Sequence, residues 1–147
     1  VSITKNTIHK DIKSFQDFDL VIIDAGGRDT ATFRSAIMAS DLMLIPVLPS
    51  QYDIWATQGT IEALEQARSF REIDARLIVN QVIPNTRVAK EAIEALDTFN
   101  MPVLINYLHA RVAFKQSIAE GRGISEYEKG KGANEIKLLY EEVSNLL

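Results

Sequence analysis

Four short apolar runs, Leu20–Ile23, Leu42–Leu48, Arg76–Val79 and Val103–Ile105, alternate with longer stretches in which apolar residues return every three or four positions. The runs do not alternate in polarity. Such unbroken character suits strands covered by helices on both faces, as in a parallel sheet. Pro46, which has no N–H to give to a ladder, places the second run at a sheet edge or near its own end. The first helical stretch pairs Ile8, Ile12 and Phe15. The second starts at Asp29 or Thr30 and carries Phe33, Ile37 and Met38. A third follows Asp53, taken as its N-cap, with Ile54, Trp55, Ile61 and Leu64. A fourth, capped by Asn85 or Thr86, shows Val88, Ala92, Ile93, Leu96 and Phe99 on one face. A fifth runs from about Arg111 to Glu120 and stops at Gly121, and a last one carries Ile136, Leu139, Tyr140, Val143 and Leu147. Alternating β and α with short joints predicts a single α/β domain over residues 1–147, with right-handed crossovers between parallel strands.

Composition narrows the chemistry. The chain has 147 residues, 46% of them hydrophobic, which excludes disorder and collagen-like or coiled-coil structure. It has no cysteine, so there is no disulfide framework, thiol nucleophile or cysteine-based zinc site. A net charge of -4 provides no overall basic field for DNA or membranes; a nucleic-acid contact would need a local patch. No apolar run approaches the roughly 18 residues of a membrane span. His9 and His109 lack partners at metal-ligand spacing.

In open parallel sheets, ligands gather beyond the carboxyl ends of the strands. There the chain places Asp24 with Gly26, Gly27, Arg28 and Asp29, then Pro49 to Asp53, Asn80 to Pro84, and Asn106 to Arg111. A carboxylate closing a buried strand, followed by a Gly-Gly turn and a helix N-terminus, is how a nucleotide fold completes a magnesium–phosphate site. The plainer alternative is an aspartate that caps a turn. Arg28 fits a phosphate clamp or a pairing with Asp29. Asn80 fits a reader of a base edge or a turn residue bonding its own backbone. Tyr52 and Trp55 read as core or interface aromatics before a stacking platform. Arg111, Lys115, Arg122, Lys129 and Lys131 make the C-terminal third locally basic, as a solvated face or a phosphate-backbone patch. No Gly-x-x-x-x-Gly-Lys-Ser/Thr loop occurs, and Gly130-Lys131-Gly132-Ala133 lacks the spacing, the hydroxyl and the preceding strand to be one.

Asp19-Leu20-Val21-Ile22-Ile23-Asp24-Ala25-Gly26-Gly27-Arg28-Asp29, then Ala39-Ser40-Asp41 and Leu44-Ile45-Pro46-Val47-Leu48-Pro49-Ser50-Gln51-Tyr52-Asp53-Ile54-Trp55, resemble the ParA/MinD family of deviant Walker ATPases, nearest its small plasmid-type ParA partition proteins. The tail from Arg111 to Phe114 and on through Gly121 to Tyr127 resembles the family's C-terminal pattern. The resemblance implies a P-loop NTPase fold lacking its first βαβ segment, with the phosphate loop and its lysines expected ahead of Val1. It further implies an ATPase of the cytoplasm and nucleoid that sandwiches ATP and Mg2+ in a homodimer. Such a protein binds DNA non-specifically and is stimulated by a centromere-binding ParB-type protein. Asp24 would act on magnesium through water, and Gly26, Gly27 and Arg28 would form the turn that senses the γ-phosphate. Asn80, Asn106 and Tyr107 would surround the adenine. Arg87, Arg111 and Lys115 would meet DNA. A membrane-surface role of the MinD kind is disfavoured by the acidic Glu141-Glu142 end of the last helix. Two alternatives stay open: a non-enzymatic dimerisation or DNA-interaction module of the same fold, and a receiver-like signalling domain. The second lacks a Lys-Pro near a strand end and room for an earlier acidic strand.

Overall fold

A computed structural model describes residue 2, residues 6–26 and residues 30–147. The elements in chain order are α1 (Ile8–Asp11) continued by a 3-10 turn (Ile12–Phe15), α2 (Ala31–Ala39), β1 (Leu42–Val47), α3 (Gln51–Arg68), β2 (Asp74–Val79), α4 (Arg87–Leu96) with a 3-10 extension (Asp97–Phe99), α5 (Val112–Ala119), α6 (Ile124–Tyr127) and α7 (Lys131–Ser144). The fold is α/β with a parallel sheet. Asp74 N donates to Asp41 O at 3.0 Å and Asn80 N donates to Val47 O at 2.9 Å, so β1 and β2 advance in the same direction. A third segment makes two parallel bridges, Val103 with Leu77 of β2 and His109 with Val82, just beyond the end of β2. The fourth apolar run therefore makes one bridge and not a full strand.

The described residues fall into two compact units. One comprises those within Val1–Met43 and Ala56–Asp74, the other Leu44–Trp55 and Ala75–Leu147. In the first, Ile8, Phe33, Ala36, Ile37, Ile61, Ala63, Leu64, Ala67 and Ile73 are buried. Thr30, not Asp29, provides the N-cap of α2: its hydroxyl accepts the Phe33 N–H at 3.1 Å. The buried Ser35 hydroxyl accepts the His9 N–H at 3.2 Å and lies 2.8 Å from His9 Nδ1, which ties α1 to α2.

The first apolar run does not form a strand. Residues 20–26 have no regular secondary structure, and Leu20, Val21 and Ile22 are exposed. Apolar character favours a strand, but only a pairing neighbour makes one, and none of the described ladders reaches this segment.

In the second unit, Val47, Leu77, Val79 and Leu96 are almost fully buried beside Ile45, Ile54, Ile78, Val82 and Leu104. At a few kcal/mol per fully buried aliphatic side chain, this group dominates the unit's stability. β2 is covered at Leu77, Ile78 and Val79 alike, whereas β1 alternates, with Leu44 and Pro46 exposed and Ile45 and Val47 buried. Three helix assignments shift. Ser50 caps α3, accepting the Asp53 N–H at 3.2 Å, so Asp53 lies in the first turn and its carboxylate accepts the Ser50 hydroxyl. Thr86 caps α4, and the buried stripe runs through Ala89, Ala92 and Leu96, leaving Val88 exposed. The inward stripe of α7 runs Gly132, Glu135–Ile136, Leu139, Glu142–Val143 and Leu146, while Tyr140 and Leu147 face solvent. The end of α5 is as expected: Gly121 N donates to Ile118 O and Arg122 N to Ser117 O, both at 2.9 Å, with Gly121 at φ 66°.

Candidate functional site

Asp24 and Gly26 belong to the first unit; Gly27, Arg28 and Asp29 lie outside the described residues. Asp24 was expected as a desolvated carboxylate closing a strand. It is instead exposed, because the run before it is neither paired nor covered. A Cβ placed on Gly26 would meet nothing within 4 Å, so crowding does not require glycine there. A carboxylate open to solvent still suits magnesium, which keeps several waters and takes one or two carboxylates plus substrate phosphates. Among the described residues no group of three or more His, Asp or Glu side chains is placed to hold a metal by itself.

Asn80 and Tyr107 come to one edge of the second unit. Leu108 N donates to Val79 O at 3.0 Å and Val82 N donates to Leu108 O at 2.9 Å, which ties the chain around Tyr107 to the carboxyl end of β2. Asn80 Oδ1 accepts the N–H of the next residue, Gln81, at 2.9 Å, and Gln81 takes the left-handed conformation at φ 56°, which turns the chain away. Tyr52 and Trp55, read from sequence as core or interface aromatics, are not in the core: they are exposed, with their rings edge to face at 5.7 Å.

The segment beyond Leu104 carries the densest polar geometry in this unit. Leu104 N donates to Leu77 O at 2.8 Å; a regular parallel ladder would then bring residue 106 to Val79, yet Leu108 stands there. Two extra residues are thus accommodated between Leu104 and Leu108, and the N–H groups of Ile105 and Asn106 there need acceptors outside the ladder. Glu142 of α7 supplies them. Its Oε1 accepts Ile105 N at 2.7 Å, and its Oε2 accepts Asn106 N at 3.0 Å and Asn106 Nδ2 at 2.8 Å. Seven residues earlier on the same helix face, Glu135 accepts His109 N at 3.2 Å through Oε2. Its Oε1 meets His109 Nδ1 at 2.8 Å and accepts Arg111 Nε at 2.9 Å, with Arg111 Nη2 on the same oxygen. Burial acts to raise the pKa of Glu135, but the bonds from Arg111 and His109 outweigh it and hold the carboxyl below its ordinary value. Glu142 follows the same logic: burial raises, the three N–H bonds lower, and the carboxyl titrates low. The bond to Glu135 in turn raises the Arg111 pKa against its own burial.

The basic residues divide. Arg111 is committed to Glu135, with 28% of its side chain exposed, while Arg87 is 88% exposed and pairs with Glu91 at 3.2 Å. Lys115 is exposed on α5. Arg111, Lys129, Gly130, Lys131, Asn134 and Glu135 line an open hollow of about 540 Å³ at the start of α7. No helix among the described residues is long and apolar enough to cross a membrane.

Sequence reasoning selected Asn106, Tyr107 and Arg111 but missed Glu135 and Glu142, the groups that shape their loop. A signal existed. Both glutamates fall on the apolar period of α7, and Glu142 sits in the last turn, where the helix dipole disfavours an anion.

No family model matches the chain. It is 30% identical over 131 residues to the maintenance of carboxysome distribution protein A of Halothiobacillus neapolitanus, covering 85% of this chain and 60% of that protein. It is 28% identical over 142 residues to the cell division protein PomZ of Myxococcus xanthus, covering 91% of this chain and 43% of that one. The chain thus spans about half the length of these relatives. Its fold matches the Pyrococcus furiosus cell division ATPase MinD with a TM-score of 0.76 at 22% identity, over 97% of this chain and 59% of that structure. These similarities agree with the motifs around Asp24 and Pro46: over the stretch it spans, the chain belongs to the ParA/MinD family.

Proposed function

We propose that this chain is the portion of a ParA-type ATPase that carries the second carboxylate and the base-facing edge of the nucleotide site. The protein dimerises on ATP, binds DNA without sequence preference, and is stimulated to hydrolyse by a DNA-bound partner of the ParB type. The observation that carries this reading is the convergence of Asn80 and Tyr107 at the carboxyl end of β2, where parallel α/β sheets bind ligands. Asn80, Asn106 and Tyr107 surround the base. In the first unit, Asp24 would hold magnesium through water, with Gly26 in the turn that follows it; Gly27 and Arg28, assigned to the same phosphate-sensing turn, lie outside the described residues. Magnesium, when bound, neutralises charge on the phosphate oxygens. Arg87 and Lys115 are the exposed cations available to DNA phosphates, and Arg111 contributes from the rim of its hollow while staying on Glu135. The relatives' names, carboxysome distribution and cell division, support a positioning role; segregation of DNA is the cargo proposed here.

The test uses the protein expressed from its complete open reading frame. DNA should stimulate its ATP turnover, and Asp24→Ala should lower turnover by about a hundredfold or more with an unchanged melting temperature. Absence of turnover in a protein that still dimerises and binds DNA would favour a non-enzymatic module instead. The 147-residue chain alone should bind ATP no more tightly than millimolar; submicromolar binding by calorimetry would contradict the division of the site.

A further inference from the structure

The Ile105–Arg111 loop is not merely near α7; its donors are spent on it. Ile105 N, Asn106 N and Asn106 Nδ2 all end on the Glu142 carboxylate, and Asn106 Nδ2 also reaches Leu138 O at 3.5 Å. An ionised carboxylate and a backbone carbonyl only accept hydrogen bonds. The Asn106 amide can therefore face them in one sense only, with its nitrogen inward. Its Oδ1 is left as the outward group, and among the described residues no donor meets it.

We infer that Glu142 is a positioning residue for base selection: it locks the Asn106 amide so that the loop offers an acceptor, which suits a base bearing an exocyclic amine and opposes one bearing a carbonyl at that edge. Adenine presents an amine there and guanine a carbonyl, so the device favours ATP over GTP. The inference rests on the reading that Asn106 lines the base. Two features argue that Glu142 does more than fill space. The carboxylate stands in the last turn of α7, against the helix dipole, and both residues whose N–H groups it satisfies lie in the widened stretch between Leu104 and Leu108.

The experiment measures affinities for ATP, GTP and inorganic tripolyphosphate, each with magnesium, on the complete protein and on Glu142→Gln, with melting temperatures as a check on folding. The glutamine amide can turn either way, so Asn106 is no longer held in one sense. The expected result is a preference for ATP over GTP in the parent that falls about tenfold in Glu142→Gln, with tripolyphosphate affinity unchanged. Glu142→Asp, too short to reach all three donors, should lose the preference in part, which gives a second reading if the glutamine variant folds poorly. A preference unchanged in a folded variant overturns the inference, as does an equal loss for all three ligands or a parent indifferent to the base. A parent that binds no nucleotide at all overturns the proposed function, and this inference with it.

Discussion

Single side chains decide several boundaries in this chain. The Thr30 hydroxyl accepts the Phe33 N–H and closes the start of α2. Thr30→Ala should cost about 1 kcal/mol, read as a lower midpoint in urea unfolding. Glu135 and Glu142 make a second residue-scale prediction. Both carboxyls titrate lower when folded than when unfolded. They therefore add stability above about pH 4.3, the ordinary glutamate value, and that stability is lost as the pH falls through their depressed folded values. A Glu135→Gln/Glu142→Gln double variant should be less stable than the parent at neutral pH. The gap between their melting temperatures should shrink steadily below about pH 4.3. A gap constant down to pH 3 would mean that the two carboxylates are not held by these bonds.

At the scale of elements, the stop of α5 was read directly, whereas the α3 cap falls on Ser50 in place of Asp53. Gly121 ends α5 because the chain reverses there in the left-handed conformation, which a Cβ disfavours. Gly121→Ala should cost about 1 kcal/mol, measured by chemical denaturation, even though the space around it is open. The stripes of α4 and α7 were read correctly at Ala92, Leu96, Ile136, Leu139 and Val143 and wrongly at their margins, where Val88, Tyr140 and Leu147 are exposed. Apolar spacing permits two adjacent faces on a helix, and the neighbouring elements choose between them. Val88 and Ala89 are both compatible with the α4 pattern, and packing took the alanine. On α7 the same choice carried two glutamates inward, and the loop beyond Leu104 makes that placement tolerable by giving each a set of N–H donors.

For the whole molecule, the first apolar run matters most. Leu20, Val21 and Ile22 stand 54%, 39% and 84% exposed, next to Phe18 at 65%. Consecutive exposed apolar side chains on a segment that joins none of the described ladders are a template for association. The 147-residue chain should therefore self-associate with rising concentration in sedimentation velocity, and Ile22→Lys should shift it towards monomer without lowering its melting temperature. Association that ignores this substitution would place the contact elsewhere.

The parallel α/β class, the runs that become β1 and β2 and the Gly121 stop were present in the sequence, and each threonine cap was one of two neighbouring candidates, because these depend on local spacing or on one residue's own chemistry. The family likeness was legible too, since its motifs are contiguous. Tertiary structure alone decided the rest. A strand exists only where another backbone accepts its hydrogen bonds, so the run before Asp24 could be read as apolar but not as paired. Glu142 and Asn106 lie 36 positions apart along the chain, and nothing local at either one announces that a carboxylate on the last helix fixes the direction of an amide on the loop.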